Sequence, residues 1–257
     1  MKLLHFVSIM AIAAPVLAQA VEEQKPAGQP ESIFQLGPGL LISDKAQKGV
    51  DTTVLPIPMV YYKQGRFSLF GTQANWGFYQ DNGTTVAAVG KLRNEGYEKG
   101  DSSTVENMSD RRMTFEAGMM VSQEFGWGKL AAEWTSDVLN EHKGHEIRLT
   151  VSRRFADAFG VEKLAITPSV GGNWRSKQLN DYYYGVERDE ATAWRPAYNV
   201  GSTVGLLTAV GISYPLNDKW DLFSSVGVEW FDSEISDSPI VDQHYRMSVL
   251  LGAMYTF

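Results

Sequence analysis

The 257 residues include no cysteine. The chain therefore has no disulfide framework, no covalent haem attachment, no cysteine metal site, no thiolate nucleophile and no residue to carry a lipoprotein anchor. Long apolar runs are nearly as scarce. Beyond residue 20 no stretch approaches the ~18–20 uninterrupted apolar residues that a spanning helix needs. Basic residues are not in excess either: 23 Lys and Arg stand against 30 Asp and Glu, a net charge of −7, which argues against nucleic acid as a partner. Histidine is also rare, with four in the chain, and this narrows the hydrolase chemistries that depend on an imidazole base.

What is present begins at the N-terminal end. Lys2 precedes an apolar run, Leu3, Leu4, Phe6, Val7, Ile9, Met10 and Ala11 to Ala14, that closes on Ala18-Gln19-Ala20. This reads as a secretory signal peptide over 1–20, cleaved after Ala20 or alternatively after Ala18. Loss of Lys2 moves the charge from −7 to −8. Residues 21–31 hold two prolines, a glycine and three glutamates, too little apolar surface to offset the entropy of ordering, and read as a periplasmic lead. An exported chain with no later helix and a mean hydropathy of −0.21 is either a soluble periplasmic protein or a barrel, whose lipid-facing residues are diluted by lumen-facing ones.

The pattern of residues 32–257 predicts an all-β fold, an antiparallel transmembrane barrel. In 243–257, Tyr245, Met247, Val249, Leu251, Ala253, Tyr255 and Phe257 alternate with Arg246, Ser248, Leu250, Gly252, Met254 and Thr256, so a two-residue period gives one continuous apolar row and an opposite face that is small or polar. Tyr245, Val249, Leu251, Tyr255 and Phe257 resemble the C-terminal signal read by the barrel assembly machinery. Earlier strands are expected at 32–42, broken by Gly37-Pro38-Gly39, where proline argues for an edge, bulge or rim, and at 54–62, 67–72, 75–79, 85–97, 112–125, 129–138, 147–155, 163–174, 200–214 and 220–231. Short turns at 81–83, 126–128, 157–160 and 216–218 alternate with longer loops at 98–110, 139–145, 175–199 and 232–242, as tight periplasmic turns and longer outer loops would. Two termini on one side require an even strand number, and parity selects twelve strands over eleven by splitting 67–79 in two.

The same period assigns faces. Ile147, Leu149 and Val151, with Trp220, Leu222, Val226, Val228 and Trp230, are expected to meet outer-membrane lipid. Aromatics at strand ends, Tyr61, Tyr62, Phe125, Trp134, Trp174, Tyr214, Trp220, Trp230, Tyr245 and Tyr255, favour this over a soluble sheet with the same residues turned inward. Glu116, Glu133, Arg148, Asp221, Glu229 and Arg246 then face the lumen. They either pair and fill it or line a water path.

Catalysis and metal binding find little support. His142 and His145 lie in Asn140-Glu141-His142-Lys143-Gly144-His145-Glu146, a conceivable metal pair that reads instead as a flexible outer loop. His244 is near Asp242 and Ser238 in sequence, but nothing supplies an oxyanion hole or nucleophile elbow. No catalytic, cofactor or metal residue is assigned.

Several runs carry a resemblance: Leu55-Pro56-Ile57-Pro58; Asp181-Tyr182-Tyr183-Tyr184-Gly185-Val186 followed by Glu190-Ala191 and Arg195-Pro196-Ala197-Tyr198; Tyr214-Pro215-Leu216 with Trp220; and Asp237-Ser238-Pro239-Ile240-Val241. In combination they resemble the MipA/OmpV family of outer-membrane proteins, across nearly all of the mature chain. The resemblance implies a β-barrel in the outer membrane of a Gram-negative cell. It also implies a non-enzymatic role as an MltA-interacting scaffold, linking a membrane-bound lytic transglycosylase to a bifunctional murein synthase in peptidoglycan biosynthesis. Members are also called porin-like, so a small-solute or ion channel is the competing expectation. Gly37-Pro38-Gly39 and the lysine-rich 44–51 depart from the family pattern. Contacts with a murein enzyme are expected at 21–31 and at the four short turns.

Overall fold

A computed structural model describes residues 32–257, in which the chain closes into a twelve-stranded antiparallel barrel, each strand pairing with its sequence neighbours and the first with the last. The strands are β1 (Ser32–Ser43), β2 (Thr53–Gln64), β3 (Phe67–Phe70), β4 (Gln73–Asp81), β5 (Thr84–Arg93), β6 (Thr114–Phe125), β7 (Gly128–Asp137), β8 (His145–Ser152), β9 (Ala165–Arg175), β10 (Thr203–Pro215), β11 (Trp220–Trp230) and β12 (Tyr245–Thr256). Parity chose the right count, and the split it required occurs at Gly71-Thr72, between β3 and β4. Two helices, α1 (Lys177–Tyr184) and α2 (Ser233–Ser236), lie in the long outer loops. The expected signal peptide and lead, 1–31, lie outside the described residues.

Alternation decides the faces. Ile147, Leu149, Leu222, Val226 and Trp230 are exposed on the outer surface, whereas Arg148 and Glu229 between them are buried. Trp134, Phe125 and Tyr245 are likewise exposed at strand ends. Tyr61 is a correction: it has the parity of Ile57 and Met59 and is buried inside the barrel against Phe70, while its neighbour Tyr62 faces out.

The inner face of β12 is also less polar than its sequence suggested. Leu250 and Met254 join Leu41, Ile57, Met59, Tyr61, Phe70 and Phe223 in an apolar cluster within the lumen. Its centre is Met59, which lies across glycines. A Cβ on Gly252 would come within 2.0 Å of the Met59 sulfur, so Met59 keeps this place only while position 252 has no side chain.

The Gly37-Pro38-Gly39 stretch does not break β1. The strand runs through it and pairs on both sides, although the ladder to β12 skips from Leu36↔Tyr255 to Gly39↔Gly252. Proline has no N–H to give there, and Gly37 lets the neighbouring backbone close in, since a Cβ would stand 1.9 Å from the Ala253 carbonyl.

The wall is uneven beside β2. Only Tyr61 to Gln64 of β2 pair with the four-residue β3, and above them the Gly71 N–H donates to the Val60 carbonyl at 2.9 Å. Backbone polar groups alternate sides along a strand. Val54, Pro56 and Pro58, of the same parity as Val60, therefore turn theirs to a side where no strand pairs with them. Two of the three are prolines and present no N–H. This places the Leu55-Pro56-Ile57-Pro58 motif at an edge of β2 with which no strand pairs among the described residues.

Candidate functional site, a charge belt beneath a tyrosine cap

Inward parity brings charged residues to one level near the outer ends of the strands. On β5 the alternation Ala87, Val89, Lys91, Arg93 continues to Glu95 just beyond the strand. Arg93 is the hub: its Nε donates to Glu116 Oε1 at 2.6 Å, its Nη2 to Glu146 Oε2 at 2.6 Å, and its Nη1 to Glu95. Arg175 meets Glu229 Oε1 at 2.6 Å and Glu95 Oε2 at 3.1 Å, and Arg246 meets Glu229 Oε2 at 2.7 Å. Lys91 reaches Glu133 at 2.6 Å, and Arg148 reaches Glu146 at 3.1 Å. Five carboxylates thus balance five cations, nearly all of them buried. Asn173 Nδ2 ties Glu146 to Glu229 at 2.8 and 2.9 Å.

Of the six lumen charges read from the sequence, Glu116, Glu133, Arg148, Glu229 and Arg246 are members of this belt. Asp221 stands apart near the periplasmic end, accepting from Gln35 Nε2 at 2.8 Å. Sequence reading missed Lys91, Arg93, Glu95, Glu146 and Arg175. The Lys91-x-Arg93-x-Glu95 alternation was the available signal.

His142 is not part of a flexible loop, which corrects the expectation for 140–146. It is buried, its Nδ1 accepts from the Gly144 N–H at 3.0 Å, and its Nε2 lies 3.2 Å from Glu116 Oε1. An accepting Nδ1 leaves the ring proton on Nε2, where it donates to the belt. Among the described residues no group of three or more His, Asp or Glu is arranged to hold a metal ion. Ser238 near His244 is buried and donates to the Tyr184 carbonyl at 2.6 Å, while His244 is exposed.

Above the belt the long loops form a second apolar core. Leu179, Tyr183 and Tyr184 of α1 pack with Tyr97, Val105, Met108, Val186, Val200, Ile235, Ile240 and Val241. Each loop is too polar to bury a core alone; together they cover the outer mouth. Tyr184 joins cap to belt, its hydroxyl donating to Glu95 Oε2 at 3.0 Å. Burial and then Glu95 push that phenol up. Burial would also raise the Glu95 carboxyl, but Arg175, Arg246 and Arg93 hold it well below the usual range. Tyr182 accepts from the Arg112 N–H at 2.8 Å and Tyr183 donates to the Arg112 carbonyl at 3.3 Å. The Asp237-Ser238-Pro239 run is tied to α1 through the Ser238 hydroxyl on the Tyr184 carbonyl, and Gly185 follows α1, where a Cβ would stand 2.4 Å from the Asp181 carbonyl.

Glu190 and Arg195 fasten the cap. Glu190 accepts from Arg111 Nη2 at 2.7 Å and from the Ser109 N–H at 2.8 Å, while Arg195 donates to the carbonyls of Thr104, Glu106 and Glu190. Burial pushes the Glu190 carboxyl up, but the bonds from Arg111, Ser109 and Glu187 outweigh it and hold it below its ordinary value. A depressed folded-state pKa contributes stability that is present above the unfolded value of about 4.3 and lost as pH falls through the folded one. The protection of the Ser109 amide, corrected for intrinsic exchange, is therefore expected to fall below about pH 4 while strand amides stay protected. Glu190→Gln should abolish that pH dependence, and a Ser109 amide equally protected at pH 7 and pH 3 would contradict the account.

Comparison with known proteins agrees with this architecture. The sequence profile of MltA-interacting protein MipA matches residues 36–257. MltA-interacting protein of Escherichia coli is 26% identical over 231 residues, 88% of this chain and 91% of that one. Outer membrane protein OmpV of Vibrio cholerae is 30% identical over 185 residues, covering 71% and 70%, and outer membrane protein Omp26La of Vibrio anguillarum is 27% identical over 188 residues, 72% of each. With a profile match that spans every strand but the start of β1, this outer-membrane barrel belongs to the MltA-interacting protein (MipA) family.

Proposed function

We propose that the protein is a non-enzymatic scaffold of the outer membrane that docks a membrane-bound lytic transglycosylase, and with it a murein synthase, on its periplasmic face. The observation that carries the reading is the outer half of the lumen, where a balanced, buried charge belt lies under a loop cap with its own apolar core. A conducting pore needs a continuous water path, and paired charges at this level fill the section that such a path would use. Docking needs only surface. The short periplasmic turns offer apolar surface: Phe159, 91% exposed, Trp127, which stacks on Phe125 at 5.1 Å, and Leu216. Phe159 also has a φ of +55°, an uncommon conformation for a bulky residue. Isolated exposed apolar residues are ordinary; three on neighbouring turns of one face favour a protein contact.

Capture of a purified lytic transglycosylase by the detergent-solubilised barrel tests the proposal. Phe159→Ser combined with Trp127→Ser should weaken it about tenfold or more, as the loss of two central apolar anchors does. Deletion of residues 21–31 should weaken it without changing heat-modifiable migration. Steady unit conductance from the pure protein in planar bilayers, with no measurable capture, would replace the scaffold with the channel.

A further inference from the structure

Below the belt and the apolar cluster the lumen opens to the periplasm, and there the wall changes character. Lys63 at the end of β2, Arg66 in the β2–β3 turn and Lys129 at the start of β7 line a cavity of about 340 Å³ together with Asn75, Ser122 and, among the described residues, one carboxylate, Glu124. Arg66 and Lys129 against one acid leave a local excess of positive charge in a chain whose net charge is −7. Glu124 does little to cancel it, since its Oε1 is 4.0 Å from Lys129 Nζ and its side chain is mostly exposed. Ser122 supplies an independent observation. It is 1% exposed, it faces this cavity, and its hydroxyl has no hydrogen-bond partner. A buried hydroxyl left unpaired costs free energy unless something enters to meet it.

We propose that this periplasmic mouth binds a small solute bearing an oxyanion, carboxylate or phosphate, with Lys129 and Arg66 holding the charge and Ser122 and Asn75 the neutral part. The volume lies near the small end of ligand sites, which suits a molecule of dipeptide size rather than a polymer. The belt above makes the site blind, so it retains its ligand rather than passing it across the membrane. The proposal rests on the barrel alone and not on enzyme docking. Carboxylates of short peptides and phosphates of inner-leaflet headgroups share the required chemistry.

The experiment is a calorimetric titration of the refolded barrel in detergent micelles, in phosphate-free buffer, with inorganic phosphate and separately with D-alanyl-D-alanine. Saturable binding of at least one probe is expected, weakened about tenfold by Lys129→Gln and restored by Lys129→Arg, as loss of a charge-assisted bond would do. Arg66→Gln, in an exposed turn that does not build the wall, is the second variant. Phosphate binding alone would assign the site to headgroup-type anions, and peptide binding alone to peptide carboxylates. No saturation by either probe up to about 50 mM, or binding untouched by both Lys129→Gln and Arg66→Gln, overturns the proposal. Transglycosylase capture is measured separately, so either reading can fail without the other.

Discussion

Deleting Phe257 should lower the amount of protein in the outer membrane at least as much as Leu251→Arg does. The two residues make the expectation demanding. Leu251 lies in the middle of β12 opposite Leu40, and its side chain faces lipid. An arginine there costs ~2–4 kcal/mol at the bilayer midplane. Phe257 follows β12, is 74% exposed, and stacks on Phe34 at 5.3 Å with its N–H donating to the Phe34 carbonyl at 3.2 Å. Full burial of such a ring is worth about 1.5–3 kcal/mol, and most of this ring is not buried. A large assembly defect would therefore exceed what its contacts supply and would mark recognition by the assembly machinery. Outer-membrane yield at matched expression is the measurement, with refolding into detergent as the control for intrinsic stability. Normal assembly of the Phe257 deletion beside failure of Leu251→Arg would leave β12 as an ordinary strand.

The second large effect is expected in the belt. Glu146 touches Arg93, Arg148 and Arg175, with side chains that are almost wholly buried. Glu146→Gln leaves guanidinium charge without its counter-ion in a low-dielectric interior, a change that costs about 3–5 kcal/mol. Glu133→Gln, at the edge of the belt where Lys91 retains Glu116 at 3.7 Å, should cost clearly less. Urea unfolding of the refolded variants in one detergent gives both values. Equal stability of Glu146→Gln and the parent protein would mean that water already reaches these charges, and the closed-lumen account would fall with it.

Much of this was legible in the sequence, because a strand has one period and a lipid-facing barrel exposes one parity of it. Ile147, Leu149, Val226 and Leu251 followed from that rule. Where the rule failed, a second constraint intervened. Tyr61 looked like a girdle residue by type, but its parity with Met59 puts it inside; residue type was weighed above register. Leu250 and Met254 broke the small-or-polar inner face because glycines at 39 and 252 make a hollow that Met59 and its neighbours fill. The cap was illegible for a different reason. Its core is assembled from Tyr97, Leu179, Tyr184, Ile235 and Ile240, which belong to separate loops, and no local pattern announces residues that become apolar neighbours only in space. The belt lies between the two cases: its members on strands could be read by parity, but their pairing could not.

The unpaired edge of β2 bears on the membrane itself. Among the described residues no strand pairs with Val54, Pro56 and Pro58 on this side, where they present three carbonyls and one N–H. Hydrocarbon offers such oxygens no donor, so water or headgroup hydroxyls are the partners expected along this edge. Lipid beside β2 is therefore expected to be less ordered than lipid beside β10 or β11, and a lipid-order probe that reads equally on both sides of the barrel would contradict this.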